Sequence, residues 1–361
     1  MGRSASNGAA TVRNSRQRYV LIAAFLVAFV QAVAMSACSI DDPIPSTRVE
    51  WVTLRAAQPG TPDIVAISSI TRASAYAVGD SGLVLVLDDE SWLEEPVPTS
   101  ADLHAVWGVS ASDVHIAGDG VALHWDGVEW TSFDLPNGFE SGEEVRLWGR
   151  SRNEVYLLSP FGGMLVWDGA SWSEFCADDP FFSCFEVVND ELEVSELSAI
   201  GGMRSGPIYL GDKQGNVYEW STVSDKALQV VLTLEIHPEC PSGMDIRQIW
   251  TTNTGVWVAP WSATCEVGSD TEWICRLMVY DRNVWRDEAP ALGDYSCETI
   301  VDLAATDDEL FAITALGRFL RHSAEVWEAR DAPEGARSVA VVGSRVLVAG
   351  DGGVIAEFMG D

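Results

Sequence analysis

LHAVWGVSASDVHIAGDGVALHWDGVEWTSFDLP, from Leu103 to Pro136, decides the fold of this chain, and VRLWGRSRNEVYLLSPFGGMLVWDGASWSEF, from Val145 to Phe175, repeats it. Both run through the same order: Trp-Gly, a polar turn, a short apolar strand, a Gly turn, a second apolar strand, Trp-Asp-Gly and a closing Trp. Short apolar runs bounded by Gly, Asp and Ser are strand-and-turn signals. In the first copy they predict four strands, here lettered a to d, at about Leu103–Val109, Asp113–Gly118, Val121–Trp125 and Glu129–Leu135. Gly79-Asp80, Gly118-Asp119, Gly211-Asp212 and Gly350-Asp351 separate strand b from strand c. These glycines are expected to supply the positive φ of tight hairpins.

Weaker copies span 64–95, 197–220, 246–260 continuing at 276–288, 301–329 and 336–358. A four-stranded unit recurring about every 40 residues predicts a β-propeller. The ends set the blade count. The last copy stops at Phe358 after its third strand, and Arg48-Val49-Glu50-Trp51-Val52 is an orphan d strand matching Val128-Glu129-Trp130-Thr131. The expected fold is therefore all-β: a seven-bladed β-propeller of four-stranded antiparallel blades over residues 48–361, its last blade closed by the N-terminal strand. Closure would also hide edge strands. The closing tryptophans Trp51, Trp92, Trp130, Trp172, Trp285 and Trp327 are expected between blades. Trp220 aligns with Trp125 and Trp167, so the fourth blade lacks a closing Trp and is expected to be irregular.

The 361 residues hold 54 Asp+Glu against 22 Lys+Arg, a formal net charge of −32. Only two lysines occur, Lys213 and Lys226. Nucleic-acid partners need clustered cations on phosphates, and this balance excludes them. With 47% apolar residues the chain folds rather than remaining an acidic coil.

Residues 1–37 have the layout of a signal peptide. Arg3, Arg13, Arg16 and Arg18 precede the sixteen-residue run YVLIAAFLVAFVQAVA (Tyr19 to Ala34), and small residues follow. The run is shorter than the ~20 apolar residues of a membrane span. Met35-Ser-Ala-Cys38 resembles the lipobox of bacterial lipoproteins, with Met35 where Leu is usual. That resemblance implies a lipid on Cys38 and a membrane partner through it. With Ser39 rather than Asp in the next position, it also implies an outer-membrane lipoprotein on the periplasmic or cell-surface side. Residues 38–47, with Pro43 and Pro45, are expected to be a short tether.

Assigning Cys38 to lipid leaves six cysteines, an even number suited to an oxidising compartment. Their spacing fits no tight zinc knuckle. Proximity favours Cys176–Cys184 and Cys265–Cys275, leaving Cys240–Cys297. In a four-stranded meander the b–c hairpins and d–a links share one face of the disc. All six cysteines fall in those loops, Cys265 and Cys275 bounding an enlarged b–c hairpin that carries Trp261 and Trp273. Long stapled loops are typical binding loops. This face, with Trp261 and Trp273 as candidate aromatics, is expected to point away from the membrane and to take a protein or glycan.

No catalytic set, cofactor motif or metal site is assigned. Gly350-Asp-Gly-Gly353 reads as a hairpin turn rather than a phosphate loop. His104, His115 and His124 share one blade and open a metal reading. However, His115 stands where other blades place Tyr76, Tyr156 and Tyr209, and so reads as a packed strand residue. The units at 103–136 and 145–175 resemble a repeat common in exported proteins and lipoproteins of myxobacteria and related soil bacteria. More distantly they resemble Asp-box, Kelch and WD-repeat propellers, with Asp126-Gly127 and Asp168-Gly169 as a partial Asp-box. The expectation is a non-catalytic, lipid-anchored binding or scaffold propeller of the cell envelope. The alternatives are a propeller-fold glycoside hydrolase or lyase, and a purely structural envelope component.

Overall fold

Seven blades of four antiparallel strands follow one another along the chain, the fourth extended by a short parallel fifth strand. After β1 (Trp51–Arg55), the first blade holds β2 (Ile64–Ser69), β3 (Ala75–Gly79), β4 (Val84–Asp88) and β5 (Ser91–Glu94). The second holds β6 (Leu103–Ser110), β7 (Asp113–Gly118), β8 (Val121–Trp125) and β9 (Trp130–Asp134), close to the bounds its turn residues predict. The third holds β10 (Arg146–Ser151), β11 (Glu154–Leu158), β12 (Met164–Trp167) and β13 (Trp172–Glu174). The short β14 (Glu186–Val187) edges the fourth blade, which holds β15 (Leu197–Gly202), β16 (Ile208–Asp212), β17 (Asn216–Trp220) and β18 (Ala227–Thr233). In the fifth, β19 (Met244–Thr252) and β20 (Gly255–Ser262) are joined to β23 (Met278–Asp281) and β24 (Val284–Asp287) through a separate ribbon, β21 (Thr264–Val267) and β22 (Asp270–Trp273). The sixth holds β25 (Ile300–Ala305), β26 (Leu310–Thr314), β27 (Arg318–Ser323) and β28 (Val326–Asp331). The seventh holds β29 (Ala336–Val342), β30 (Arg345–Gly350) and β31 (Ile355–Phe358), with β1 as its outer strand.

This computed structural model describes residues 51–139, 145–159, 163–175, 186–187, 197–220, 227–234, 244–252, 255–262, 264–267, 270–273, 277–281, 284–288, 299–306, 308–324 and 326–360. Ring closure is as the orphan strand requires: β1 pairs antiparallel with β31, with Trp51 opposite Phe358 and Arg55 opposite Ile355. The Trp51 ring meets Phe319 edge-on at 5.1 Å, and its Nε1 donates to the Asp331 carbonyl of the sixth blade.

A blade is covered on both faces by its neighbours, so its inner strands carry apolar residues without alternation. β3, β7, β16 and β26 are buried at every position. The outer d strands touch solvent, with every position half-buried or exposed in β9 and β24. The core is accordingly seven separate apolar clusters, one at each blade junction, from the first and second blades round to the seventh and first. Six of the a strands (β2, β6, β15, β19, β25 and β29) enter with a register shift at their first residues. Such a bulge bends the strand and increases its twist.

One expectation changes. The b–c glycines do not supply positive φ: Gly79 and Gly350 are extended, at φ −170° and 174°. The left-handed positions lie further on, at Ser81, Gly82, Gly120, Gly352 and Gly353. Gly79, Gly118 and Gly350 are required by crowding, since a Cβ there would overlap the carbonyl oxygen of Asp63, Asp102 or Gly335. The next residue's amide donates to that same carbonyl in all three blades. The fourth blade is irregular as expected: besides the shift that opens β15 it has a second register shift, at Val217/Tyr218 between β17 and β18, and the parallel edge strand β14. β18 replaces the closing Trp with Leu and Val. Trp220 ends β17 fully buried, edge-on to Tyr156 at 5.6 Å and Phe175 at 5.0 Å of the third blade.

Candidate functional site

The innermost strands β2, β6, β10, β15, β19, β25 and β29 surround a central channel with a cavity of about 790 Å³. At the a–b end the channel widens into a funnel of about 810 Å³. Its wall is aromatic because one repeat position is Trp in three blades: Trp107 on β6, Trp148 on β10 and Trp250 on β19, all half-buried. Each ring leans on the next blade. Trp107 lies against Gly149, and Trp148 lies against Gly202 while its Nε1 donates to the Gly202 carbonyl at 3.1 Å. Trp250 Nε1 donates to Asp302 Oδ1 at 3.3 Å.

The rim is cationic. Arg72 comes from the a–b turn of the first blade, and Met203 and Arg204 from that of the fourth, all three exposed. Neither guanidinium has an ion pair or hydrogen bond among the described residues. None of the described residues lining the funnel is acidic, although acids outnumber bases 54 to 22 in the chain.

The opposite, b–c face has the reverse polarity. Asp102 Oδ1 accepts the Ser81 amide at 2.6 Å, and Asp63 Oδ1 accepts the Gly352 amide at 2.7 Å. In both, the acid preceding one blade's a strand caps the b–c turn of the blade before. His104 Nε2 meets Asp119 Oδ1 at 2.8 Å, and Arg337 pairs with Asp351. Removal from water, with Asp102 and Asp63 nearby, raises the Asp80 carboxyl above its usual range.

The acid in the channel wall is Asp302, which belongs to the framework. It accepts hydrogen bonds from the Ser338 hydroxyl, the Val339 amide at 2.9 Å, the Leu303 amide at 2.9 Å and Trp250 Nε1, joining the fifth, sixth and seventh blades. Burial raises its pKa, against the pull of these donors. Among the described residues lining the channel and funnel no second carboxylate stands with it. A pair flanking the scissile bond, which glycoside hydrolysis uses, is not present there.

The partial Asp-boxes are turns. Asp126 Oδ1 accepts the Val128 and Glu129 amides at 2.8 and 2.9 Å, and Asp168 Oδ1 accepts the Ala170 and Ser171 amides at 2.9 Å. Gly127 and Gly169 complete them at φ 94° and 101°. The backbone donors lower both carboxyl pKa values.

The sequence-selected loop face is placed in part. The enlarged hairpin is the β21–β22 ribbon, with Cys265 opposite Glu272 and Thr264 opposite Trp273 in the backbone register. Trp261 lies near the end of β20, opposite Asp245. Cys38, Cys176, Cys184, Cys240, Cys275 and Cys297 lie outside the described residues, as do the side chains of Trp261, Cys265 and Trp273. Sequence reading missed the funnel residues Arg72 and Arg204. The available signal was arginine recurring in a–b turns, at 72, 152 and 204, in a cation-poor chain.

No family model matches the sequence, and no curated protein matches it. Solved propellers do. The structure described as YCF48 bound to D1 peptide aligns with a TM-score of 0.57 at 14% identity, covering 86% of this chain and 97% of that one. YCF48 from Cyanidioschyzon merolae gives 0.55 at 16% identity, covering 85% and 98%. The β-propeller domain of Cps50 (Swd1) from Myceliophteria thermophila gives 0.62 at 11% identity, covering 86% and 98%. At these identities the likeness establishes the propeller fold.

Proposed function

We propose that this protein is a non-catalytic binding propeller, held to the outer membrane through a lipid on Cys38. In this proposal an extended, acidic segment of a partner protein seats in the Arg72–Arg204 funnel, at the a–b end, and so on the face opposite the cysteine-bearing loops that the sequence reading chose. The carrying observation is a channel mouth that, among the described residues, joins two unpaired guanidiniums and three tryptophan rings with no acid, in a strongly acidic protein. Guanidinium groups bind carboxylates in a planar, bidentate way, and indole faces take apolar side chains. One similar structure is described as bound to a peptide, which is compatible with this use of the fold. Residues 1–37 act as the signal peptide and 38–47 as the tether. Bridges Cys176–Cys184, Cys265–Cys275 and Cys240–Cys297 staple the loops of the opposite face.

Fluorescence titration of the protein with labelled Asp/Glu-rich and Lys/Arg-rich peptide pools tests the ligand class. The acidic pool is expected to bind, with affinity falling as salt rises. Arg72→Ala with Arg204→Ala should weaken it at least tenfold, or about 1.4 kcal/mol. Equal binding of both pools, or binding unchanged in the double variant, rejects the reading. Intact-mass measurement with and without reductant checks the lipid and the three bridges.

A further inference from the structure

Between the second and third blades lies a group of polar side chains that the funnel does not use. Asp113 and His115 are two apart on β7 and so share one face of the strand. His124 on β8 is the direct cross-strand partner of His115. The arrangement therefore brings three donor side chains to one spot by strand geometry alone.

Asp113 Oδ1 stands 3.6 Å from His115 Nε2 and 3.4 Å from His124 Nε2, and the three donor atoms all lie within 4.8 Å of one another. None of these approaches makes a hydrogen bond. His115 is fully buried and both its ring nitrogens are unpartnered, as are Asp113 Oδ1 and His124 Nε2. Four orphaned polar atoms in one buried cluster are costly, and native interiors rarely keep them without a ligand, water or ion.

We propose that Asp113, His115 and His124 bind one divalent transition-metal ion of the zinc class. A tetrahedral ion with bonds of about 2.0–2.1 Å has ligand-to-ligand edges of about 3.4 Å. The two carboxylate–imidazole separations match that edge and exceed a good hydrogen bond. Two imidazoles and one carboxylate suit zinc-like ions over calcium or magnesium, which prefer all-oxygen shells.

The surroundings fit. Arg152, from the a–b turn of the third blade, meets the other carboxylate oxygen of Asp113 at 3.2 Å and orients it from outside the ligand shell. Trp107, Trp167 and Trp172 wall the His115 ring at centroid distances of 6.2, 5.2 and 5.7 Å. His124, with 14% of its side chain exposed, is the entry side and leaves a fourth position for water. The two imidazoles are stacked at 4.4 Å and 21°, so capture turns the His124 ring out of the stack until both nitrogens converge. The ion then joins β7 and β8 directly and the third blade through Arg152.

The test uses the full-length protein, with free thiols alkylated and metal removed by chelation, titrated with Zn²⁺ and separately with Co²⁺. One equivalent of Zn²⁺ should bind and raise the melting temperature. Co²⁺ should develop the visible bands of a low-coordinate site, and Ca²⁺ and Mg²⁺ should do neither. His124→Ala, at the least buried ligand, should lower Zn²⁺ affinity about 100-fold or more, whereas His104→Gln should leave it unchanged. Circular dichroism on the metal-free variants confirms that they are folded. Absence of stoichiometric Zn²⁺ binding by the folded wild type, or undiminished binding by folded His124→Ala, overturns the proposal. Neither outcome bears on the funnel, because no funnel peptide enters the assay.

Discussion

The six-membered ring of Trp107 occupies the space in which a side chain at Gly149 would begin: a Cβ there would stand 2.5 Å from its Cη2 atom. Trp148 meets Gly202 in the same way, one blade further on. At the second–third and third–fourth blade junctions, therefore, the indole of one blade requires the glycine of the next. Gly149→Ala should destabilise by about 1–3 kcal/mol through overpacking. Thermal unfolding measures this, and a Trp107→Ala/Gly149→Ala double variant should be less destabilised than the sum of the two singles.

The closure of the ring rests on a five-residue strand. Trp51→Ala removes an edge-on contact with Phe319, a contact with Phe358 and a hydrogen bond to the sixth blade. A loss of about 2–4 kcal/mol is expected for a half-buried aromatic of this kind. Deleting residues through Arg55 uncovers the whole edge of β31. Concentration-dependent aggregation, followed by light scattering, should accompany the lower melting temperature.

Asp302 gives a test of framework against catalysis. Its four donors need a carboxylate, and an amide nitrogen in place of one oxygen would face N–H or O–H groups. Asp302→Asn should therefore cost roughly 2–4 kcal/mol in chemical denaturation. Binding of an acidic peptide by the folded remainder should persist.

The Trp-Asp-Gly turns predict an acid-side loss of stability. Backbone donors lower the folded pKa of Asp126 and Asp168 below their unfolded values. Their contribution is thus present above the unfolded pKa and disappears as pH falls through the folded one. An Asp126→Asn/Asp168→Asn variant keeps a side-chain carbonyl for each turn without a titrating group. Its stability should vary less than that of the wild type below about pH 4, as followed by denaturation at successive pH values.

Much of the architecture was legible because it is local. Strand length, turn position and the missing fourth strand at Phe358 are all written in stretches of a few residues, and an orphan strand carrying Trp51 has one unfilled place in the ring. Glycine roles were less legible. Gly79 and Gly118 look like left-handed turn residues, yet their constraint is the carbonyl of Asp63 or Asp102, which precedes strand a and is separated from them by a whole hairpin. The site was the least legible. Arg72 and Arg204 are 132 positions apart in numbering and meet at one rim only because both sit in a–b turns.

The repeat by itself determined the fold class, the blade count and the closing strand, because short apolar runs and turn chemistry act between near neighbours. Only the tertiary structure decided which end of the channel is cationic, that the carboxylate of Asp302 is saturated, and that two histidines and an aspartate are buried without partners. Those properties depend on what adjacent blades bring to the same point, and burial and electrostatic interaction are set by distance in space rather than along the chain.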